Sequence, residues 1–224
     1  MTMTRILRIA RWTALGSIVL IAAGTAFVEF GLEANPRSEV PSVAGGAAAG
    51  AVAIPAGVAI GGPFDLIDDT GRPVTDADYR GRWMLVYFGY TDCPDDCPLT
   101  LQKVAAALRD LGPLAGRIAP LFITVDPARD TPARLASYLE NFDSRIVGLT
   151  GSSRQIAAAA TAYRVYYSPG EHEPSGADLI SHSTFLYLMN PNGRLAALFA
   201  GDVSAAHLSA ALRARLLPPE QAAR

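Results

Sequence analysis

The stretch MLVYFGYTDCPDDCPLTLQKVAAALRDLG, residues 84–112, decides the fold. Met84 to Phe88 is an apolar run short enough for a buried strand. From Pro98 onward Leu101, Val104, Ala105 and Leu108 recur at helical spacing, until Gly112 and Pro113 stop the helix. Between strand and helix stand Cys93, Pro94, Asp95, Asp96, Cys97 and Pro98. Amides and the macrodipole at a helix N-terminus favour a thiolate, which is the form of cysteine that acts as nucleophile and metal ligand. At helical spacing, positions four apart share one face with Cβ atoms about 5 to 6 Å apart. The two sulfurs can therefore share one ion or, after slight adjustment, close a disulfide. A bridge over so small a loop constrains the unfolded chain little, so chemistry accounts for the pair better than stability does.

Working outward, Phe64 to Ile67 and Pro73 to Val74 flank the turn Asp68 to Gly71 and predict a hairpin. Leu121 to Val125 is a second buried strand. Asp130, Thr131 and Pro132 open a helix to about Phe142, with proline at the first helical position and Asp130 expected to help cap it. Ile146 to Leu149 is strand-like, and Ser152 with Gln155 forms a capping box for a helix ending near Tyr163. Ser168 to Asp178, rich in Pro and Gly, reads as an inserted loop or hairpin. Thr184 to Met189 and Leu195 to Phe199 flank Pro191, Asn192 and Gly193 as a second hairpin. Ser204 caps a last helix to Leu217. Strands alternate with helices before a terminal hairpin and helix, which predicts an α/β fold with a mixed central sheet and helices on both faces. That order resembles the thioredoxin arrangement.

Thioredoxin-type oxidoreductases place two residues between their cysteines and carry a cis-proline loop facing them. This chain has three intervening residues, and Ser181, His182 and Ser183 stand where that loop is expected, before the Thr184 strand. A histidine opposite two thiols changes the chemistry. Two thiolates and one imidazole form a soft set that suits three-coordinate Cu(I), with Cu(II) accepting an additional oxygen. Zinc tolerates the same ligands with an open fourth position, and ligand type alone does not exclude it.

The chain resembles the Sco/SenC family of copper-binding, thioredoxin-fold proteins involved in cytochrome c oxidase assembly. The similarity rests on Gly61 to Phe64, Phe88 to Thr91 leading into Cys93 to Pro98, Thr124 to Pro132 with its two aspartates, and His182 before Ser183 and Thr184, and it runs from about Gly61 to Leu217. The resemblance implies that Cys93, Cys97 and His182 are copper ligands and that copper passes to the binuclear CuA centre of oxidase subunit II. One departure is Asp96, where the family usually has an apolar residue. With Asp92 and Asp95 it surrounds the thiols with carboxylates, which either raise the thiol pKa and attract cations or, with Asp96 in solvent, do little. Asp126 stands at the carboxyl edge where open α/β sheets place their sites, as a candidate for coordination or docking. His172 and His207 read as solvent residues. Tyr163, Tyr166 and Tyr167 read as core and strand packing.

Composition sets the surroundings. Half of the 224 residues are hydrophobic, 18% are charged, and the formal net charge is -2, which gives no sign of disorder or nucleic-acid affinity. Arg5, Arg8 and Arg11 precede an uncharged run from Trp12 to Val28, about a membrane span. Glu29 and Glu33 follow it, so residues 1–30 are expected to anchor the chain in the bacterial inner membrane with the body in the periplasm. A cleaved signal peptide is the alternative, with Gly24 and Ala26 as small residues at the cleavage site. Cys93 and Cys97 are the only cysteines, so no thiol follows the run for lipid attachment. Residues 31–60 read as a flexible linker, 61–217 as the folded domain and 218–224 as a tail.

Three activities follow from the motif: a copper metallochaperone, a thiol:disulfide oxidoreductase acting on the oxidase subunit or another exported protein, and a peroxidase of peroxiredoxin type. His182 in place of the cis-proline loop favours the first. No arginine close to the cysteines in sequence supports the third. A copper carrier in an oxidising compartment also implies a partner, a thioredoxin-like reductant that keeps both sulfurs reduced.

Overall fold

The computed structural model describes residues 51–54, 57–172 and 178–217. Its strands lie where the apolar runs are. They are β1 (Asp65–Asp68), β2 (Pro73–Thr75), β3 (Trp83–Gly89), β4 (Ile118–Thr124), β5 (Val147–Thr150), β6 (Tyr167–His172), β7 (Asp178–His182), β8 (Phe185–Met189) and β9 (Leu195–Ala200). The helices are α1 (Asp96–Leu111), α2 (Pro132–Leu139), α3 (Ser153–Ala162) and α4 (Ala205–Leu216), with two short 3₁₀ segments at Asp76–Tyr79 and Gly112–Arg117. A seven-stranded sheet has the order β2-β1-β5-β4-β3-β8-β9. Its centre, β3, β4 and β5, is parallel, and the flanking strands are antiparallel. β6 and β7 pair separately, so the segment expected as a loop or hairpin is a hairpin.

Successive residues of β3 point to opposite faces. Tyr87 reaches Cys97 of α1 with its hydroxyl, and Phe122, beside it on β4, packs 5.9 Å from the Tyr138 ring of α2. Phe88 points the other way, onto Tyr163 at the end of α3, 5.5 Å away. Helices therefore cover both faces, and β3 and β4 are buried almost throughout, as central parallel strands must be.

The capping box at Ser152 and Gln155 is present, and the Ser204 hydroxyl accepts the His207 amide at the start of α4. α2 stops at Leu139 rather than Phe142, because the Asn141 side chain donates to the carbonyls of Ser137 and Tyr138 in the last turn. Tyr163 is core, but Tyr166 is 68% exposed. Val165 turns inward beside it, and alternation in extended chain sends the next residue out. Ala51 and Val52, which composition places in the linker, run along β9: Ala51 bridges Phe199, and the Val52 amide donates to the Leu198 carbonyl at 2.7 Å. The expected anchor and tail lie outside the described residues. Among those described, no helix is long and apolar enough to cross a membrane.

The β1–β2 turn is fastened by Asp68, 1% exposed, which accepts bonds from the amides of Thr70 and Arg72, the Thr70 hydroxyl and the Arg72 guanidinium. Burial alone would raise its pKa, yet those bonds outweigh it and hold the carboxyl at about 2. A depressed carboxylate stabilises the fold fully above the ordinary value of 3.8 and loses that contribution as pH falls towards 2. Asp68→Asn is expected to cost about 2 kcal/mol at neutral pH. Urea unfolding should show the gap to wild type closing between about pH 4 and pH 2.

Candidate metal site

Sheet topology collects the sequence-predicted residues at one edge. β3 ends at Gly89 and its parallel neighbour β4 at Thr124, so the loops after both leave from the same edge. β8 runs antiparallel to β3, with Leu186 opposite Tyr87, so the residues just before β8 return to that edge. Cys93 lies in the loop after β3, Cys97 in the first turn of α1, and His182 is the last residue of β7.

The ligand atoms of Cys93, Cys97 and His182 all lie within 4.8 Å of one another. Cys97 Sγ is 3.4 Å from His182 Nε2, and the Cys97 amide points at Cys93 Sγ, also at 3.4 Å. His182 Nδ1 is 3.2 Å from the Ser183 carbonyl. An N–H there donates to that oxygen and leaves the Nε2 lone pair facing the sulfurs, the tautomer a metal ligand needs. The imidazole stands edge-on to two tyrosine rings, Tyr87 at 6.3 Å and Tyr90 at 5.8 Å. Cys93 is half-buried and opens into a cleft shared with Tyr90, Asp95, Asp96, His182 and Thr184. Both thiols are free. Two sulfurs and an imidazole nitrogen this close fit one soft ion without rearrangement of the backbone.

The two thiols are unlike. A hydrogen bond from Cys97 is the main influence that lowers Cys93, and it is supported by His182 and the amides of Cys97 and Asp95. Together they outweigh burial and hold Cys93 at about 4. Cys97, wholly buried, is pushed up by the hydrogen bond it gives Cys93, by burial and by the adjacent negative charge. These shifts favour the thiolate on the half-buried Cys93 and the proton on the buried Cys97.

The aspartates divide. Asp95 and Asp96 are exposed and line the cleft onto which Cys93 opens. Asp92 is paired with Arg134 and, at 3.7 Å, with Arg129, which balances its charge beside Cys93. Asp126 forms an ion pair with Arg129 and is not among the residues grouped around the sulfurs. Arg129 and Arg134 come close to the motif through the fold, Arg129 pairing with Asp92 and Asp126 and Arg134 with Asp92, Asp130 and Thr91. Asp130 corrects an expectation, because Thr131 is the cap of α2, accepting the Arg134 amide. Asp130 itself is 1% exposed and accepts the Thr91 amide at 3.1 Å, the Thr91 hydroxyl at 2.5 Å and the Thr124 hydroxyl at 2.6 Å. It ties the loop that carries Cys93 to the end of β4. His207 is exposed, as expected.

Gly89 is a further site residue that spacing alone did not single out. A Cβ there would lie 2.7 Å from both Cys97 Sγ and the Phe122 ring, so only glycine lets the buried sulfur approach the strand.

An α/β domain with a thiolate, a thiol and an imidazole gathered where parallel strands end is a thioredoxin-like fold carrying a Cys₂His cluster of a kind that could hold a metal ion. A profile of the SCO1/SenC family matches residues 53–217. The chain is 44% identical over 156 residues to Protein sco1 of Schizosaccharomyces pombe, covering 68% of this chain and 59% of that protein. It is similar to the solved structure of Bradyrhizobium japonicum ScoI with copper bound, at 40% identity and a TM-score of 0.66, over 71% of this chain and 100% of that one. Yeast Sco1 with copper bound matches at 37% identity and a TM-score of 0.66, over 75% of this chain and 95% of that one. This chain belongs to the SCO1/SenC family. It spans about three fifths of the length of the curated relatives it matches.

The asymmetry of the thiols predicts their reactivity in the metal-free protein. Iodoacetamide should modify Cys93 at a rate that is nearly flat from about pH 8 down to about pH 5 and falls near pH 4, as thiolate is lost. Cys97 should react only after unfolding. Peptide mass spectrometry reads both.

Proposed function

We propose that this protein is a copper metallochaperone that holds Cu(I) or Cu(II) through Cys93, Cys97 and His182 and delivers it to the CuA centre of cytochrome c oxidase subunit II. The observation that carries the reading is the convergence of those three ligand atoms within 4.8 Å, on a domain similar to relatives solved with copper bound. Soft thiolates suit Cu(I), and one imidazole with an open cleft leaves room for an added oxygen on Cu(II) and for a partner's ligands during transfer. The anchor proposed over residues 1–30 would keep the domain on the periplasmic side of the bacterial inner membrane. The linker ahead of Ala51, which is already paired with β9, is about 20 residues and gives a reach of about 25 Å over the membrane surface.

Copper loading needs both sulfurs free. Joining the Cys93 thiolate to the Cys97 thiol gives up two electrons to an oxidant and releases one proton, and it removes both sulfurs as ligands. Loading in an oxidising compartment then depends on a thioredoxin-like reductant that returns them. A second reading, a thiol:disulfide oxidoreductase, is favoured by the pairing of an accessible Cys93 thiolate with a buried Cys97 thiol, the division an attacking and a resolving cysteine require.

The two readings part at His182. Cys93→Ser, Cys97→Ser and His182→Ala are each expected to abolish high-affinity copper binding in titrations of the reduced protein, and each should fail to restore oxidase copper and activity in a deletion strain. Full rescue by His182→Ala, with both cysteine variants inactive, would replace the carrier with the oxidoreductase.

A further inference from the structure

Tyr90 follows β3 and is 2% exposed. It touches both arms of the candidate site. Its carbonyl accepts the Cys93 amide at 3.4 Å. Its hydroxyl accepts the Ile180 amide of β7 at 3.1 Å. Its ring stands 5.8 Å from the His182 imidazole at 83°. The backbone contact would survive any side chain, but the hydroxyl and ring contacts would not.

Those side-chain contacts matter because His182 reaches the cysteines from a different sheet. Among the described residues β6 and β7 pair only with each other, so no ladder of the central sheet there fixes their position. Two residues before His182, the Ile180 amide is fastened to the Tyr90 hydroxyl. An amide that loses its partner in a part-buried setting is left unsatisfied, so this bond holds the strand against the loop that bears Cys93.

We propose that Tyr90 is a positioning residue for the metal, its hydroxyl pinning the His182 strand to the Cys93 loop and its ring fixing the plane of the imidazole. This rests on the copper-binding reading. Partners of this kind, acting through a ligand rather than as one, change metal affinity by about 10- to 100-fold when lost.

The test is Tyr90→Phe, which keeps the ring and removes the hydroxyl, made alone and together with His182→Ala. Copper affinity would be measured by chelator competition, and Cu(II) geometry by sulfur-to-copper charge-transfer absorption and electron paramagnetic resonance. Tyr90→Phe should bind about 10-fold or more weakly, with a shifted spectrum, and should add no further loss to His182→Ala, since its effect runs through the histidine. Tyr187→Phe, which removes a buried hydroxyl on the opposite sheet face beside Phe88 and Tyr163, should keep wild-type affinity and spectrum. Wild-type affinity and spectrum in Tyr90→Phe would overturn the positioning role, and so would an equal loss in the His182→Ala background. Wild-type affinity in His182→Ala alone would instead overturn the ligand assignment beneath it.

Discussion

The register that sets Leu186 opposite Tyr87 is the constraint on which the rest of the site depends. Cys93, in the loop before α1, and Cys97, in its first turn, are four residues apart and meet through local geometry alone. His182 is 85 residues from Cys97 and meets them only because β8 runs antiparallel to β3 and returns the chain to the edge where β3 ends. A slip of one residue in that pairing would send each β8 side chain to the other face, taking Leu186 and Tyr187 from the two cores they fill. The apolar packing that fixes the sheet therefore also brings the chain that carries the third ligand back to this edge.

A second consequence lies in the electrostatics. The hydrogen bond shared by the two thiols, with two backbone amides and His182, places negative charge on Cys93 and withholds it from the buried Cys97. A bound cation would balance that charge, since the arginines near the site among the described residues are engaged with Asp92 and Asp126. The exposed Asp95 and Asp96 leave the approach to the cleft acidic. A site of this kind holds a thiolate ready for a soft cation and offers it no internal substitute.

Much of this was legible in the sequence because the signals were local. Apolar runs of strand length, a capping box at Ser152 and Gln155, and two cysteines between a strand and a helix each carry their structure within a few residues. Placing His182 needed more, the expectation that the segment before the Thr184 strand would face the cysteines, and the fold meets it. What escaped was long-range. Asp130 and Thr131 are both good capping residues, and only the position of Thr91, 39 residues earlier, decides that Asp130 turns inward while Thr131 caps. Gly89 looks like any glycine at a strand end until the Cys97 sulfur is found against it. Tyr90 looks like one more aromatic after an apolar strand, and its link to Ile180 spans 90 residues.

The central claim is that one copper ion is held by two sulfurs and one imidazole of this chain. X-ray absorption at the copper edge of the reduced, Cu(I)-loaded protein measures that coordination directly. The account predicts a three-coordinate ion with two sulfur scatterers and one histidine, and loss of the imidazole multiple-scattering signal in His182→Ala. A sulfur-only copper environment in the wild-type protein, unchanged by His182→Ala, would contradict it.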